Sequence, residues 1–138
     1  MNKMALRNID YGKLITGYEF EPTSFRLDGE SVMAYLDAVE DNNRIYEENR
    51  IVPPMAVAAL SMTAMAAELS LPPGAVHVSQ DLQFLSLVSI NETLTSRARI
   101  NRKVERGKFH MLTIGINVLN QKQMTVLSGE TSFILPLS

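Results

Sequence analysis

The residues best suited to chemistry fall in one polar stretch, Glu40–Met55, which reads Glu-Asp-Asn-Asn-Arg-Ile-Tyr-Glu-Glu-Asn-Arg-Ile-Val-Pro-Pro-Met. Asp41, Asn43 and Tyr46 place a carboxylate, an amide and a phenol close together, the groups on which proton transfer and hydrogen-bonded binding draw. The stretch runs directly into Ala56–Leu69, which holds six alanines and a single charged residue, Glu68. A helix so apolar on every side is expected to be buried. Pro53 and Pro54 suit its first turn, where backbone N–H groups have no intrahelical partner. Polar groups held just ahead of such a helix feel the positive end of its dipole, which favours negative charge. A plainer reading stands beside this one. Asp41 and Asn43 are common turn formers, and Tyr46 is equally an aromatic packed in a loop.

The flanking patterns supply the frame that would position this loop. A short strand is expected within Gly17–Leu27. Asp28-Gly29-Glu30-Ser31 reads as a helix start, with Asp28 or Ser31 as cap. Val32, Met33, Leu36 and Val39 then recur at helical spacing, which predicts a helix over Ser31–Val39 leading into Glu40. Beyond the apolar helix, Leu71-Pro72-Pro73-Gly74 is a stop signal. From Val76 the period is two, with Val76, Val78, Leu82 and Phe84 on one face and His77, Ser79, Asp81 and Gln83 on the other. Leu94, Ala98, Ile100 and Val104 alternate in the same way with Thr93, Thr95, Arg97, Arg99 and Lys103. Arg106-Gly107-Lys108 and Gln121-Lys122-Gln123 separate two further strands, Phe109–Asn120 and Met124–Leu135, and Gly129 is the expected bulge in the last. One long apolar helix followed by antiparallel strands is an α+β pattern, in which the helix covers the sheet's apolar face.

Bulk properties narrow the function classes. The 138 residues suit a single domain, 1–138, with one substantial core. A net charge of −2 offers no case for nucleic acid or an anionic membrane. The absence of cysteine removes disulfides, thiol catalysis and thiolate-bound metals. Met1–Ile9 carries Lys3 and Arg7 without the apolar run of a signal peptide, and Met55–Ala67 is too short to span a bilayer, so a cytoplasmic, soluble protein is expected. No Gly-rich phosphate loop, metal-spaced cluster or Ser-His-Asp set is evident, and no metal is expected.

Three segments together resemble the MaoC-like dehydratases and (R)-specific enoyl-CoA hydratases of the hotdog superfamily, closest to the subgroup that shares the fatty-acid-synthase dehydratase region. Glu40-Asp41-Asn42-Asn43-Arg44-Ile45-Tyr46 aligns with the loop motif Gly-Asp-x-Asn-Pro-(aliphatic)-His. Asp41, Asn43 and Ile45 match it; Glu40, Arg44 and Tyr46 depart from it. Val52-Pro53-Pro54-Met55 resembles the start of the family's central helix. Val76–Phe84, followed by Asn91-Glu92-Thr93-Leu94, resembles its second strand and turn. The resemblance implies a hotdog fold, a sheet wrapped around a long helix. It implies hydration of 2-enoyl-CoA, or dehydration of (R)-3-hydroxyacyl thioesters, with no cofactor beyond the coenzyme A or phosphopantetheine arm of the substrate.

On that alignment Asp41 is the base and Tyr46 the orienting donor. Asn43, Pro54, Met55, Ala56 and His77 bind substrate, with the backbone amides near Met55 and Ala56 stabilising the thioester enolate. Tyr46 stands where the family carries histidine. A phenol titrates near 10 and is a poor base at neutral pH, whereas imidazole titrates near 6.5. The alternative reading is therefore a non-catalytic acyl-CoA-binding subunit that partners a His-bearing dehydratase half. A hotdog thioesterase using Glu68 is weaker still. Exposed sheet edges imply a homodimer, or a heterodimer with a second hotdog subunit. His77 and His110 also have plain structural readings. Met33, Met55, Met62 and Met65 read as gap-filling core. Arg97, Arg99, Arg102 and Lys103 read as a solvated face, with contact to a carrier's phosphate as the minority reading.

Overall fold

Asp28 caps the first helix. Its carboxylate accepts a hydrogen bond from the Ser31 N–H (2.8 Å) at the head of α1 (Gly29–Ala38), just after strand β1 (Thr23–Arg26). That bond from the Ser31 backbone, helped by the Ser31 hydroxyl, holds the Asp28 carboxyl below its ordinary value. The computed structural model describes residues 14–69 and 71–136, without the side chains of residues 64, 67 and 68. The expectations for Met1–Ile9 and for the Glu68 side chain lie outside the described residues.

After α1 the polar stretch contains a short helix, α2 (Ile45–Asn49), which alternating polarity did not announce. It ends on Arg50 in the left-handed region (φ 52°). Pro53 is the N-cap of α3 (Pro54–Glu68), so the double proline sits where the sequence placed it. Four strands follow: β2 (Val76–Phe84), β3 (Thr93–Arg106), β4 (Phe109–Leu119) and β5 (Thr125–Pro136). They form one antiparallel sheet with β1, in the order β1-β3-β4-β5-β2. This α+β arrangement, a sheet curled over a central helix, is the hotdog fold.

The core divides along α3. Its leading half, with Ala56, Val57 and Ala58, packs with Leu36, Val52, Ile116, Val118 and Leu127. Its trailing half, with Met65 and Leu69, packs with Ile100, Leu112, Ile114, Phe133 and Leu135. Yet α3 is not enclosed on all sides, as its composition predicts. Pro54, Met55, Ala59, Thr63 and Ala66 form an exposed stripe, with Met55 at 50% exposure. Met33 is likewise exposed at 44%, so of the four methionines read as core only Met65 is fully buried and Met62 partly so.

Three one-residue irregularities alter the alternation read from the sequence. At Asn101 the register of β3 slips, so Lys103 lies opposite buried Leu112 while Val104 pairs with exposed Met111. In β5 the slip falls at Val126, where Val126 and Leu127 are both buried, and not at Gly129. Gly129 lies in regular pairing with Leu82 and Ile116. Its lack of a side chain is needed instead because a Cβ there would run into the Asp81 carbonyl. In β2 the slip at Val78 turns His77 away from the face it was expected to share with Ser79 and Asp81.

Candidate functional site

Glu40 turns the chain out of α1 with φ 56°, a left-handed conformation that costs a non-glycine residue about 1 kcal/mol. Asp41 follows, half-buried, its N–H donating to Leu36 O (2.9 Å). Its Oδ1 accepts from the Asn43 N–H (2.9 Å), and Asn43 Oδ1 accepts from the Ile45 N–H (3.0 Å), which opens α2. Two successive side-chain turns thus fix the loop, and the turn-forming reading of Asp41 and Asn43 holds as local structure. It leaves chemistry open: Asp41 Oδ2 makes no hydrogen bond among the described residues.

Tyr46, in the first turn of α2, is half-buried against the leading core cluster. Its hydroxyl has no partner among the described residues. The loop is tied to the sheet side by Val52 N–H to Val88 O (2.8 Å) and an Ile51–Ser89 bridge. At the head of α3 the amides divide. Ala56 N–H already donates to Pro53 O (2.9 Å), which Val57 N–H shares (3.4 Å). Ala56 is therefore not a free donor, and the correction has a simple cause: the Pro53 carbonyl closes the first turn. The Met55 amide keeps no partner among the described residues and points from the positive end of the helix.

His77 is not brought to this loop within one chain. Its ring stacks on Phe133 (4.9 Å, 28°), and its Nε2 lies 2.6 Å from the Oγ1 of fully buried Thr131. Both belong to the trailing end, separated from Met55 by most of a helix about 22 Å long. His110 lies 3.8 Å from Glu105 near the β3–β4 turn, as its structural reading expects.

The cavities follow the same division. A niche of about 10 Å³ between Val52, Pro54, Val57 and Phe84 sits at the leading end, with room for about one water molecule. An open apolar groove of about 290 Å³ runs along the trailing half of α3, between Met62, Met65, Leu69, Leu71 and Phe133. A larger polar trough of about 460 Å³ crosses the outer face, floored by Gly115 and flanked by Arg97 and Arg99. Asp41 and Tyr46 line none of these. Among the described residues no group of His, Asp and Glu is spaced to hold a metal.

The profile of the FAS1-like, dehydratase domain region matches residues 14–128. The chain belongs to this family. No curated protein sequence matches it. Among solved structures it resembles the R-hydratase PhaJ1 of Pseudomonas aeruginosa in its unliganded form, with a TM-score of 0.79 at 21% identity, over 95% of this chain and 88% of that one. The (R)-hydratase of A. caviae involved in PHA biosynthesis gives 0.76 at 20%, over 90% and 98%. The HadBC (3R-hydroxyacyl-ACP dehydratase) complex of Mycobacterium tuberculosis gives 0.72 at 19%, over 87% and 96%. At these identities the structures establish the hotdog fold, while the profile carries the family. Among the described residues no helix of this dehydratase-region protein is long and apolar enough to cross a membrane.

Sequence reasoning missed two features of the site. The exposed stripe of α3 was hidden because alanine and methionine give no polar signal on the uncovered side. The turn of the exposed His77 toward Thr131 and Phe133 was hidden because it depends on a bulge set by pairing with β5.

Proposed function

We propose that this protein is a thioester hydro-lyase, interconverting 2-enoyl and (R)-3-hydroxyacyl thioesters carried on coenzyme A or phosphopantetheine. The carrying observation is the loop geometry: a half-buried carboxylate, held by one oxygen and open at the other, placed ahead of a helix whose first free amide is Met55. In hydration, Asp41 Oδ2 accepts a proton from water as the water oxygen bonds to C3. Negative charge moves to the thioester oxygen, where the Met55 N–H stabilises it, and a proton is then delivered to C2. Tyr46 orients the water or donates to the same oxygen. The uncovered α3 stripe and the edge of β2, unpaired among the described residues, support a working unit of two hotdog subunits, and a cytoplasmic location belongs to the same proposal. Incubation with short and medium enoyl-CoAs should bleach the enoyl thioester absorbance; a wild type inert on the whole series rules the reading out.

A second reading is favoured by one departure, Tyr46 in place of histidine, together with the position of Asp41 outside the cavities named above among the described residues. On it the protein binds acyl thioesters and lends its fold to a His-bearing partner. Activity that appears only on mixing with such a partner supports it. Activity gained by Tyr46→His in the isolated protein instead shows that only the base was missing.

A further inference from the structure

The outer face of the sheet, turned away from α3, changes character along its length. Toward the leading end it is polar: Arg97, Asn117, Ser128 and Gln83 stand side by side across β3, β4, β5 and β2. That is what water demands of an uncovered antiparallel face. Toward the trailing end the polarity lapses. Val104, Met111, Ile134 and Val76 occupy one register row across the same four strands, and Phe109 and Pro136 extend it toward the β3–β4 turn. Val76 and Phe109 are more than half exposed, and Met111 is 36% exposed. Apolar residues scattered singly in water need no explanation, but these occupy adjoining register positions and form a patch, and such a patch marks a partner.

The slip at Asn101 creates this patch. Strict alternation from Ile100 sends Val104 to the helix side and Lys103 and Glu105 outward. The extra residue reverses that: Arg102, Val104 and Arg106 face outward, while Glu105 turns to the helix side beside His110. The outward side of β3 is thereby stripped of the strand's one acid. Arg102 and Arg106 flank Val104, Lys108 follows in the turn, and all three are exposed. Residues 97–108 hold six of the chain's 13 lysines and arginines and one of its 15 acids, in a chain of net charge −2. An apolar row edged by cations is complementary to an apolar row edged by carboxylates. Four strands about 4.8 Å apart make the row roughly 14 Å wide, the rise of about ten residues of α-helix.

We propose that this patch docks an acidic amphipathic helix of another protein. The helix lays its apolar residues, spaced i, i+3, i+4 and i+7, on the row from Val104 to Val76, and its carboxylates meet Arg102, Arg106 and Lys108. A second copy of the chain is the poorer occupant, because a two-fold contact through one patch brings its cations against their own kind. An anionic bilayer is also poorer. The cations are gathered in one corner of a protein that is acidic elsewhere, and a broad negative surface meets both. The patch lies across the sheet from α3 and its Met55 amide, so the docked helix leaves the proposed reaction unobstructed while it holds the protein beside its partner. The inference stands whether or not the hydro-lyase reading does.

Fluorescence anisotropy of the full chain with labelled peptides of about 18 residues tests it. The first peptide is a glutamate helix with leucines spaced i, i+3, i+4 and i+7. The second has the same composition with its leucines scattered around the helix, and the third carries lysine in place of glutamate. The first should bind at least about tenfold more tightly than either of the others. Met111→Glu should weaken it about tenfold, and so should Arg102→Glu combined with Arg106→Glu. Arg97→Glu, on the polar half of the same face, should weaken it by less than about threefold. Thermal melts that match the wild type show that these outward substitutions leave the fold intact. A wild type that binds the first peptide no better than the second, or a folded Met111→Glu variant that binds like the wild type, overturns the proposal. Two other outcomes overturn it by naming a different occupant. Sedimentation with vesicles of equal parts phosphatidylcholine and phosphatidylserine, lost in Met111→Glu, assigns the patch to a membrane. A light-scattering mass that halves on the same substitution assigns it to a second copy.

Discussion

The two ends of α3 are built for different work. The leading end is polar and backbone-rich: two side-chain turns, a strained Glu40 and a free helix amide. The trailing end is apolar and well filled, with Leu14, Ile100, Leu112, Ile114 and Leu135 at 0% exposure. Both ends are packed against buried apolar side chains, and what sets the leading end apart is the polar loop, to which the proposed chemistry is assigned. A buried helix allows this separation because its backbone needs nothing from its surroundings except at its ends.

The sharpest way to break the comparison is at Asp41. Asp41→Asn keeps the acceptor that binds the Asn43 N–H, so the melting temperature should barely move. Hydratase turnover should nevertheless fall by about 10²–10⁴-fold, as removal of a general base does. Unfolding alongside the loss would mean that Asp41 is only a turn residue. Next in size is Leu112→Ala at the trailing end, which should destabilise by about 2–5 kcal/mol in denaturant unfolding without raising KM. A smaller effect of opposite sign is expected at Glu40. Glu40→Gly relieves the left-handed strain at some entropic cost and should stabilise by about 0.5–1 kcal/mol.

The smallest effect concerns Asp28. Its folded pKa lies below the ordinary 3.8, so its capping contribution is fully present above that value and is lost as pH falls through the lower one. The stability gap between wild type and Asp28→Ala should therefore be constant near neutrality and close in strongly acidic solution, as read by chemical denaturation across pH.

What the sequence disclosed and what it hid have a common cause. Signals confined to a few adjacent residues were legible: the Asp28 cap, the double proline before α3, and four strands broken by turns. The loop motif led to Asp41, and the same few residues exposed the departures at Glu40 and Tyr46. Signals set by partners across space were not. The slips at Val78, Asn101 and Val126 arise from pairing with another strand, and they moved His77, Lys103 and Val104 to unexpected faces. Gly129 drew attention as a bulge because glycine is permissive, whereas its actual constraint is the nearby Asp81 backbone. The uncovered side of α3 was likewise illegible, because alanine and methionine read the same on a covered and on an open helix face.

The extra residue at Asn101 has a geometric consequence. It frees the Asn101 side chain to cross over Gly115, where any larger side chain would collide with it, and its Nδ2 donates to Glu130 Oε2 on β5 (2.9 Å). One amide thereby cinches the first and third of three neighbouring strands from the outside, at the point where the bulge sharpens their coil. The curvature that lets so narrow a sheet cup a helix is locked from its convex side.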